Sequence, residues 1–293
     1  MPSLVVSGVA AAAVRRWAPR WGLVDRPGRR KVHSTTTPLG GGLALWLGLV
    51  LPLAAGHLVL ANATEAAPGK YVLPGGWTLS PLVAEHVGGL KQQAPRLWFL
   101  LACATALVVL GLADDVWGLD WRLRMALQTV IAALMVSWWE GWRLSLYLQP
   151  ILLTATLSIF WMVGLVNSFN MLDNMDGLSA GVAAIASAML AAVLLTTPSP
   201  ITHQPQLFVS GFLLALVGSL LGFLWHNRPP ARLFMGDAGS YFIGFCLATA
   251  TSMATFTGGD LPPHTILAPL CILAVPLYDT VTVVWIRLRQ GRS

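Results

Sequence analysis

Residues 207–225 read LFVSGFLLALVGSLLGFLW and contain no charged side chain. An α-helix rises about 1.5 Å per residue, so this stretch is long enough to cross the roughly 30 Å hydrocarbon core of a bilayer. Comparable apolar runs lie at residues 43–61, 97–113, 125–139, 150–168, 178–197, 239–256 and 265–286. Together with a shorter run from Ser3 to Val14, they predict an all-α, polytopic integral membrane bundle of about nine transmembrane helices.

The composition agrees with a membrane protein. Of the 293 residues, 56% are hydrophobic and only 10% are charged, whereas soluble domains carry about 25% charged residues. So few charges cannot cover a water-exposed surface, which excludes an ordinary soluble domain. Cys103, Cys246 and Cys271 each lie inside an apolar run, so we interpret them as packing residues and not as a disulfide or metal framework. Residues 1–293 are predicted to form one transmembrane domain.

The basic residues are distributed unevenly over the predicted loops. Counting from a first loop on the inner side, 14 of the 18 Lys and Arg residues fall in one set of connections. The remaining four are Lys70, Lys91, Arg96 and Arg143. Because basic residues are enriched in cytoplasmic loops, the larger set is predicted to face the cytoplasm. Topology therefore accounts for most of the net charge of +6, and no nucleic-acid partner is expected.

The acidic residues cluster on the same predicted side. Seven aspartates lie in the larger set of connections: Asp25, Asp114, Asp115, Asp120, Asp173, Asp176 and Asp237. Acidic residues contribute little to topology, so this clustering indicates a cation site in cytoplasmic active-site loops. Asp114 and Asp115 are adjacent at the end of an apolar run, where two carboxylates repel each other unless a cation or basic residue shares the site. The alternative is a solvated helix end.

A second polar motif is more specific. Asn167, Asn170, Asp173 and Asp176 recur every three residues between two apolar runs. On a helical or tightly turned segment, this spacing directs the side chains to roughly one side. Carboxylate and amide oxygens suit a hard divalent cation such as Mg²⁺. The alternative is a polar loop whose Asn and Asp residues cap the flanking helices.

Residues 234–241 read FMGDAGSY and are predicted to lead into a helix. Asp237 is then either an N-cap or a metal ligand, and Ser240 with nearby backbone N–H groups would meet a phosphate at the helix N-terminus. Residues 29–33, RRKVH, bring cations next to a Gly-rich helix start, unless they form only an ordinary basic loop. Metal and basic side chains together can neutralise the charge on a pyrophosphate and its leaving group.

In their order and spacing, these motifs resemble the polyprenyl-phosphate N-acetylhexosamine-1-phosphate transferase family (glycosyltransferase family 4), from about Leu23 to the last residues. The resemblance rests on the segments Asp25–His33, Asp114-Asp115, Asn167–Gly177, Asn227–Ser240 and Pro276–Asp279. The sequence looks like the branch that uses UDP-N-acetylglucosamine or a related UDP-sugar. The phospho-N-acetylmuramoyl-pentapeptide transferase branch, an alternative, usually has a Thr-Pro-Thr-Met-Gly-Gly type motif, which this sequence lacks.

The resemblance implies that a UDP-N-acetylhexosamine and undecaprenyl phosphate give a lipid-linked sugar diphosphate and UMP, at the cytoplasmic face of the bacterial inner membrane. It implies Mg²⁺ as cofactor, with Asn170 and Asp237 as its ligands. The implied catalytic residues are Asp114, Asp115, Asp173 and Asp176, the first two near the acceptor phosphate and the others near nucleotide or metal. The implied substrate-binding residues are Lys31, His33, Arg124, Asn167 and Ser240.

Two mechanisms are open for the implied reaction. A phosphate monoester has a second pKa near 6, so the lipid phosphate is largely dianionic at neutral pH and needs little help from a base. We therefore favour direct attack of this phosphate on the β-phosphorus of the UDP-sugar, with the acid pair as a positioning element acting through Mg²⁺ or Arg124. In the covalent alternative, Asp115 attacks first.

Three features depart from the family's usual pattern. Arg124 stands where the family usually has Lys, and Leu39 replaces the Arg of a Pro-Arg-x-Gly-Gly motif. A His-x-His-His segment normally follows the last helix seen here. Since Ser3 to Val14 is also short for a span, we expect the chain to be incomplete at both ends. This 293-residue form is expected to insert into membranes and to have weak or no transferase activity.

Two other classes compete with the transferase. An ion-coupled transporter fits the many helices and the intramembrane Asp279, although the other acids lie at one face and no internal repeat is visible. An inactive family member that serves as a scaffold fits the missing histidines. The sequence leaves open the identity of the sugar, the glycan pathway and whether the protein forms a homodimer.

Overall fold

The computed structural model describes residues 1–25, 36–67, 69–144, 150–199, 203–256 and 263–291. The helices are α1 (Pro2–Trp17), α2 (Gly41–Ala61), α3 (Pro81–Ala84), α4 (Val87–Trp117), α5 (Trp121–Trp138), α6 (Ile151–Leu172), α7 (Leu178–Thr196), α8 (Leu207–Asn227), α9 (Gly236–Met253), α10 (Ala268–Ile272) and α11 (Ala274–Arg289). Short 3-10 segments lie at Ala18–Trp21, Glu140–Trp142 and Pro263–Leu267. Two antiparallel ribbons pair β1 (Val24–Asp25) with β2 (Thr37–Pro38) and β3 (Thr64–Ala67) with β4 (Lys70–Val72).

The prediction of a polytopic, all-α membrane protein is confirmed. Within the described residues, α2, α4, α6, α7 and α8 are long and apolar enough to cross a bilayer. A sixth span results if His264–Ile272 and α11, which meet at an angle of 70°, are taken as one bent crossing. Eight of the nine predicted apolar runs fall largely within one α-helix each, and the run 265–286 is divided among a 3-10 segment, α10 and α11. The helices α1, α5 and α9 do not meet the same test. The predicted count of nine spans is therefore not confirmed.

The helix α9 lies at the centre of the bundle and packs against α2, α4 and α6. Every residue from Ala238 to Ser252 is buried. Small residues on the neighbouring helices allow this close packing, since a Cβ at Gly111 would lie 2.3 Å from the Ala238 Cα. A Cβ at Gly42 would similarly lie 2.3 Å from the Gly239 backbone nitrogen. Contacts between backbones thus fix the position of the α9 N-terminus.

The Gly-rich start of α2 is attached to the segment that precedes α9. The backbone N–H groups of Gly41 and Gly42 donate to the carbonyl oxygens of Phe234 and Met235, at 2.9 and 3.0 Å. The Phe234 N–H in turn donates to the Pro38 carbonyl oxygen at 2.9 Å. These glycines therefore bring backbone against backbone, which orients the first turn of α9.

We expect Gly111→Ala to disturb the packing of α4 against α9 and, through it, the first turn of α9. The added methyl group would overlap the Ala238 backbone, and such overpacking costs about 1–3 kcal/mol. Thermal unfolding in detergent should therefore shift to lower temperature, and turnover should fall because Asp237 directly precedes Ala238. The matched control is Gly164→Ala in α6, where a Cβ would meet nothing within 4 Å. Equal unfolding temperatures for the two variants would show that the α4–α9 contact is not tight.

Candidate active site

One end of the bundle brings together the ends and starts of four helices that carry polar side chains. Asp114 and Asp115 lie in the last turn of α4, and Arg124 lies in the first turn of α5. The polar end of α6 contributes Asn170, and the first turn of α9 contributes Asp237. The Asp120 carboxylate accepts a hydrogen bond from the Arg122 N–H at 2.8 Å and so caps α5. This cap begins α5 at Trp121, four residues earlier than its predicted apolar run.

The Asp114 carboxylate is held by three donors. Its Oδ2 accepts from Arg124 Nη1 at 2.7 Å and from the Tyr241 hydroxyl at 2.9 Å. Its Oδ1 accepts from the Leu119 backbone N–H at 2.8 Å. Only 3% of this side chain is exposed. Asp114 is therefore a fixed, ionised partner for Arg124, and not the solvated helix end that was the alternative.

The Asp115 carboxylate faces the N-terminus of α9. Its Oδ1 accepts from the Asp237 N–H at 2.8 Å, and its Oδ2 accepts from the Ala238 N–H at 3.4 Å. A helix N-terminus has unsatisfied N–H donors and a positive dipole end, so a carboxylate stabilises it. Gly236, the first residue of α9, has φ of +73°, and a Cβ there would lie 2.6 Å from Asp115 Oδ2. The cap of α9 thus comes from a different helix, and the alternative that Asp237 is itself the N-cap is wrong.

The Asp237 carboxylate instead contacts α6. Its Oδ1 accepts from the Asn170 side-chain amide at 2.6 Å, and its Oδ2 lies 4.0 Å from Arg124 Nη1. The same amide donates to the Ser240 hydroxyl at 3.0 Å. Ser240 is fully buried and donates to the Asp237 carbonyl oxygen at 3.2 Å. The two predicted metal ligands, Asn170 and Asp237, are therefore neighbours, and Ser240 is hydrogen-bonded to both residues.

Asp173 directly follows α6 and adds negative charge to this cluster. Burial, together with the charges of Asp237, Asp115 and Asp176, raises the pKa of Asp173 to about 7. No hydrogen bond to this carboxylate is found within the described part of the chain. A carboxylate surrounded by other carboxylates is the environment that a cation stabilises.

Asp176 and Asn227 hold two loops together. Asp176 Oδ2 accepts from the Ala231 backbone N–H at 2.8 Å. Asn227 accepts from the Gly177 N–H at 3.1 Å and donates to the Leu233 carbonyl oxygen at 3.0 Å. These bonds join the α6–α7 turn to the loop before α9.

Asn167 lies one helical turn from Asn170 and points to a different helix. Its amide donates to Gln128 Oε1 at 2.7 Å and to the Val163 carbonyl oxygen at 2.8 Å. Asn167 therefore faces α5 whereas Asn170 faces α9, so Asn167 departs from the shared side that the spacing predicts. Asp173 and Asp176 follow the end of α6 at Leu172, and the charges of Asp237 and Asp176 act on Asp173.

Two predicted substrate-binding residues, Lys31 and His33, lie outside the described residues. Asp279, which the sequence marks as an intramembrane acid, lies in α11, where its Oδ2 is buried without a hydrogen-bond partner among the described residues.

Sequence reasoning missed Tyr241, Gln128 and Asn227. A helical spacing of four residues could have indicated the first two, since Tyr241 follows Asp237 and Gln128 follows Arg124 by one turn. Hydropathy places both side chains in apolar runs, which hides their polar contacts. The role of Asn227 depends on two loops that meet only in the fold.

The residues present fit a magnesium site that substrate completes. Among the described residues, no group of three or more His, Cys, Asp or Glu side chains is arranged to hold a metal alone. Mg²⁺ is usually bound by one or two carboxylates together with water and substrate phosphates. Asp237 provides one such carboxylate, and Asp173 adds negative charge nearby. The Asn170 amide faces Asp237 with its nitrogen, so its oxygen would join the set only after the amide turns over.

The raised pKa of Asp173 predicts a pH dependence of Mg²⁺ binding. At pH 6 the metal-free carboxyl is mostly protonated, and at pH 8 it is mostly ionised, so a nearby cation must displace a proton at the lower pH. We expect the affinity for Mg²⁺ to rise from pH 6 to pH 8, with proton release detected by calorimetry in buffers of different ionisation enthalpy. Asp173→Asn should weaken this dependence. Equal affinity at both pH values would contradict the expectation.

Comparison with known proteins identifies the family of the chain. A family model of glycosyl transferase family 4 matches residues 97–255, a range that includes the acid pair, Arg124, Asn170 and Asp237. The probable undecaprenyl-phosphate N-acetylglucosaminyl 1-phosphate transferase of Bacillus subtilis (strain 168) is 29% identical over 286 residues, covering 95% of this chain and 68% of the relative. The decaprenyl-phosphate N-acetylglucosaminephosphotransferase of Mycobacterium tuberculosis is 31% identical over 319 residues, covering all of this chain and 71% of the relative.

A third relative is the undecaprenyl-phosphate alpha-N-acetylglucosaminyl 1-phosphate transferase of Escherichia coli (strain K12). It is 26% identical over 292 residues, covering 95% of this chain and 67% of the relative. The matched family model covers more than half of the chain and contains the acid pair, Arg124, Asn170 and Asp237. The chain therefore belongs to glycosyl transferase family 4, among its polyprenyl-phosphate N-acetylhexosamine-1-phosphate transferases, which are membrane enzymes of cell-envelope glycan synthesis.

Proposed function

We propose that the protein transfers N-acetylglucosamine 1-phosphate, or a closely related sugar 1-phosphate, from a UDP-sugar to undecaprenyl phosphate. The products are the lipid-linked sugar diphosphate and UMP. The observation that carries this proposal is the meeting of Arg124 and the partial magnesium site of Asn170 and Asp237 at one end of the bundle, with 4.0 Å between Arg124 Nη1 and Asp237 Oδ2. The Arg124 guanidinium and a metal ion at this distance can both bind the same diphosphate.

In the proposed reaction, an oxygen of the lipid phosphate attacks the β-phosphorus of the UDP-sugar. The bond between this oxygen and the β-phosphorus forms, the bond between the β-phosphorus and the bridging oxygen breaks, and UMP leaves with that oxygen. When bound by Asn170 and Asp237, Mg²⁺ would neutralise charge on the diphosphate. Arg124 would neutralise charge on a phosphate, while Asp114 holds the guanidinium in place.

The contacts of the acid pair favour direct attack over a covalent intermediate. Asp115 accepts two N–H groups of α9, and Asp114 accepts from three donors, so both carboxylates are already occupied by protein groups. A nucleophilic Asp115 would lose these hydrogen bonds on forming an adduct, which would leave N–H groups at the α9 N-terminus unpaired. We therefore assign positioning roles to both residues.

The donor and acceptor are proposed from the relatives. All three relatives are named for N-acetylglucosamine. The carrier in the name is decaprenyl phosphate for the Mycobacterium tuberculosis relative and undecaprenyl phosphate for the other two. Release of UMP by the purified protein should be compared for UDP-N-acetylglucosamine, other UDP-N-acetylhexosamines and UDP-N-acetylmuramoyl-pentapeptide, each with both lipids. We expect UMP release to need Mg²⁺ and lipid and to be fastest with UDP-N-acetylglucosamine. Preference for the pentapeptide donor would contradict the proposal.

We propose further that all nine apolar runs cross the bilayer and that the site faces the cytoplasm. The excess of basic residues in the connections at the site end supports this orientation. In a Cys271→Ser background, which removes the exposed cysteine, Asn174→Cys should react with an impermeant maleimide only from the cytoplasmic side. Gly75→Cys should react only from the outside. Labelling of both variants from the same side would contradict the orientation.

A further inference from the structure

One edge of the Arg124 guanidinium is held by protein groups. Nη1 lies 2.7 Å from Asp114 Oδ2 and 3.5 Å from the Tyr241 hydroxyl oxygen. The same hydroxyl donates to Asp114 Oδ2 at 2.9 Å. Nη1, Oδ2 and the phenol oxygen therefore form a closed triangle, with one member each from α5, α4 and α9.

The other edge of the guanidinium is available to a ligand. Nε and Nη2 of Arg124 make no hydrogen bond to any residue in the described ranges. The Arg124 side chain is 30% exposed, whereas that of Asp114 is 3% exposed, so the ion pair lies with its acidic partner inside and its basic partner at the opening. A guanidinium edge with two parallel N–H groups matches two phosphate oxygens.

Tyr241 is placed to fix the direction of this free edge. Its side chain is 1% exposed, and it follows Asp237 by one turn of α9. Its hydroxyl contacts both members of the Arg124–Asp114 pair, and Asp237, the other α9 residue near this pair, lies 4.0 Å from Arg124 Nη1. The phenol thus connects the position of the guanidinium to the helix that carries Asp237.

We propose that Tyr241 is a positioning residue that orients Arg124, so that the Nε and Nη2 edge receives two oxygens of a substrate phosphate. This inference rests on the proposed function and adds to it the residue that orients the Arg124 guanidinium. The phosphate is either the monoester of the lipid or part of the donor diphosphate, which carry the same recognition chemistry. Lysine at residue 124 would keep the ion pair with Asp114 but would have no second edge to offer.

The test compares Tyr241→Phe with the matched control Tyr278→Phe, which removes the hydroxyl of a 74% exposed tyrosine on α11. Tyr241→Phe keeps the buried ring and leaves Asp114 with two donors, so the unfolding temperature should change little. We expect kcat/KM to fall about ten-fold, as for loss of a hydrogen bond to a charged group. Tyr278→Phe should retain the parent kinetics. A rise confined to the KM of the lipid assigns the phosphate to the acceptor, and one confined to the KM of the UDP-sugar assigns it to the donor.

A double-mutant cycle with Arg124→Lys separates positioning from a general structural role. If Tyr241 acts through the free edge of Arg124, Tyr241→Phe should change kcat/KM less than about two-fold in the Arg124→Lys background. Independent, multiplying effects of the two substitutions would overturn the proposal. So would parent-like kinetics of Tyr241→Phe.

A binding measurement keeps this test separate from the proposed reaction. Inorganic pyrophosphate should bind the parent protein more tightly than either Tyr241→Phe or Arg124→Lys, in calorimetric titrations with Mg²⁺ present. If the parent shows no transfer from any UDP-sugar but binds pyrophosphate in this order, the proposed function fails while the role of Tyr241 stands. If all three proteins bind pyrophosphate equally, the role of Tyr241 fails whatever the transferase assay shows.

Discussion

Asp237→Ala is expected to lower kcat at least about a thousand-fold while the bundle remains assembled. A thousand-fold corresponds to about 4 kcal/mol of transition-state stabilisation, a magnitude that loss of a ligand to a catalytic metal can account for. The protein should remain folded, because the Asp237 side chain is 31% exposed and its removal takes one negative charge out of a group that also contains Asp115 and Asp173.

The measurement for this first prediction is the rate of UMP release as a function of Mg²⁺ concentration. Asp120→Ala is the matched control, since Asp120 is an exposed aspartate near the same end of the bundle and caps α5. Loss of that cap costs about 1 kcal/mol of stability and should leave kcat close to that of the parent. If Asp237→Ala kept near-parent turnover at low Mg²⁺, Asp237 could not be a metal ligand.

Asp115→Ala is expected to lower kcat about a hundred-fold and to reduce thermal stability. The substitution leaves the N–H groups of Asp237 and Ala238 without their acceptor, and an unpaired buried donor costs about 1–3 kcal/mol. The first turn of α9 would then lose the contact that sets the position of the Asp237 carboxylate. The loss of activity should thus come with a lower unfolding temperature.

The conservative variant Asp115→Asn distinguishes a positioning role from a covalent one. Its amide oxygen can still accept one of the two N–H groups, so we expect kcat within about ten-fold of the parent. A nucleophilic carboxylate, in contrast, cannot be replaced by an amide. Activity of Asp115→Asn as low as that of Asp115→Ala, with parent-like thermal stability, would contradict the positioning role.

The apolar runs predicted where the helices lie, because a run of some 20 apolar residues in a membrane usually forms a helix that spans the bilayer. They did not predict that α9 is the central helix. Its sequence from Gly236 onward is rich in Gly, Ala, Ser and Thr, so its hydropathy is modest. Its burial follows from contacts such as that between Gly111 and Ala238, which are 127 residues apart and cannot be inferred from either segment alone.

The candidate site was predicted in part. The aspartates on the predicted cytoplasmic side gather at one end of the bundle, where Asn170 and Asp237, the ligands implied by the family resemblance, are neighbours. The acid pair was predicted to act as a positioning element through Mg²⁺ or Arg124. The capping of α9 by Asp115 was not predicted, because that helix begins 121 residues later in the chain. The three-residue spacing of Asn167 and Asn170 did not make them face the same helix, because residues three apart on a helix differ in direction by about 60°.

The central claim is that the sugar phosphate passes directly from the UDP-sugar to the lipid phosphate. It is tested most directly by single-turnover kinetics with a donor labelled at the β-phosphorus, using excess protein, Mg²⁺ and either no lipid or saturating undecaprenyl phosphate. The account predicts that UMP release and the labelled lipid diphosphate appear together, only when the lipid is present, and that no label stays on the protein. A burst of UMP without lipid, with label retained on the protein and lost in Asp115→Asn, would contradict it.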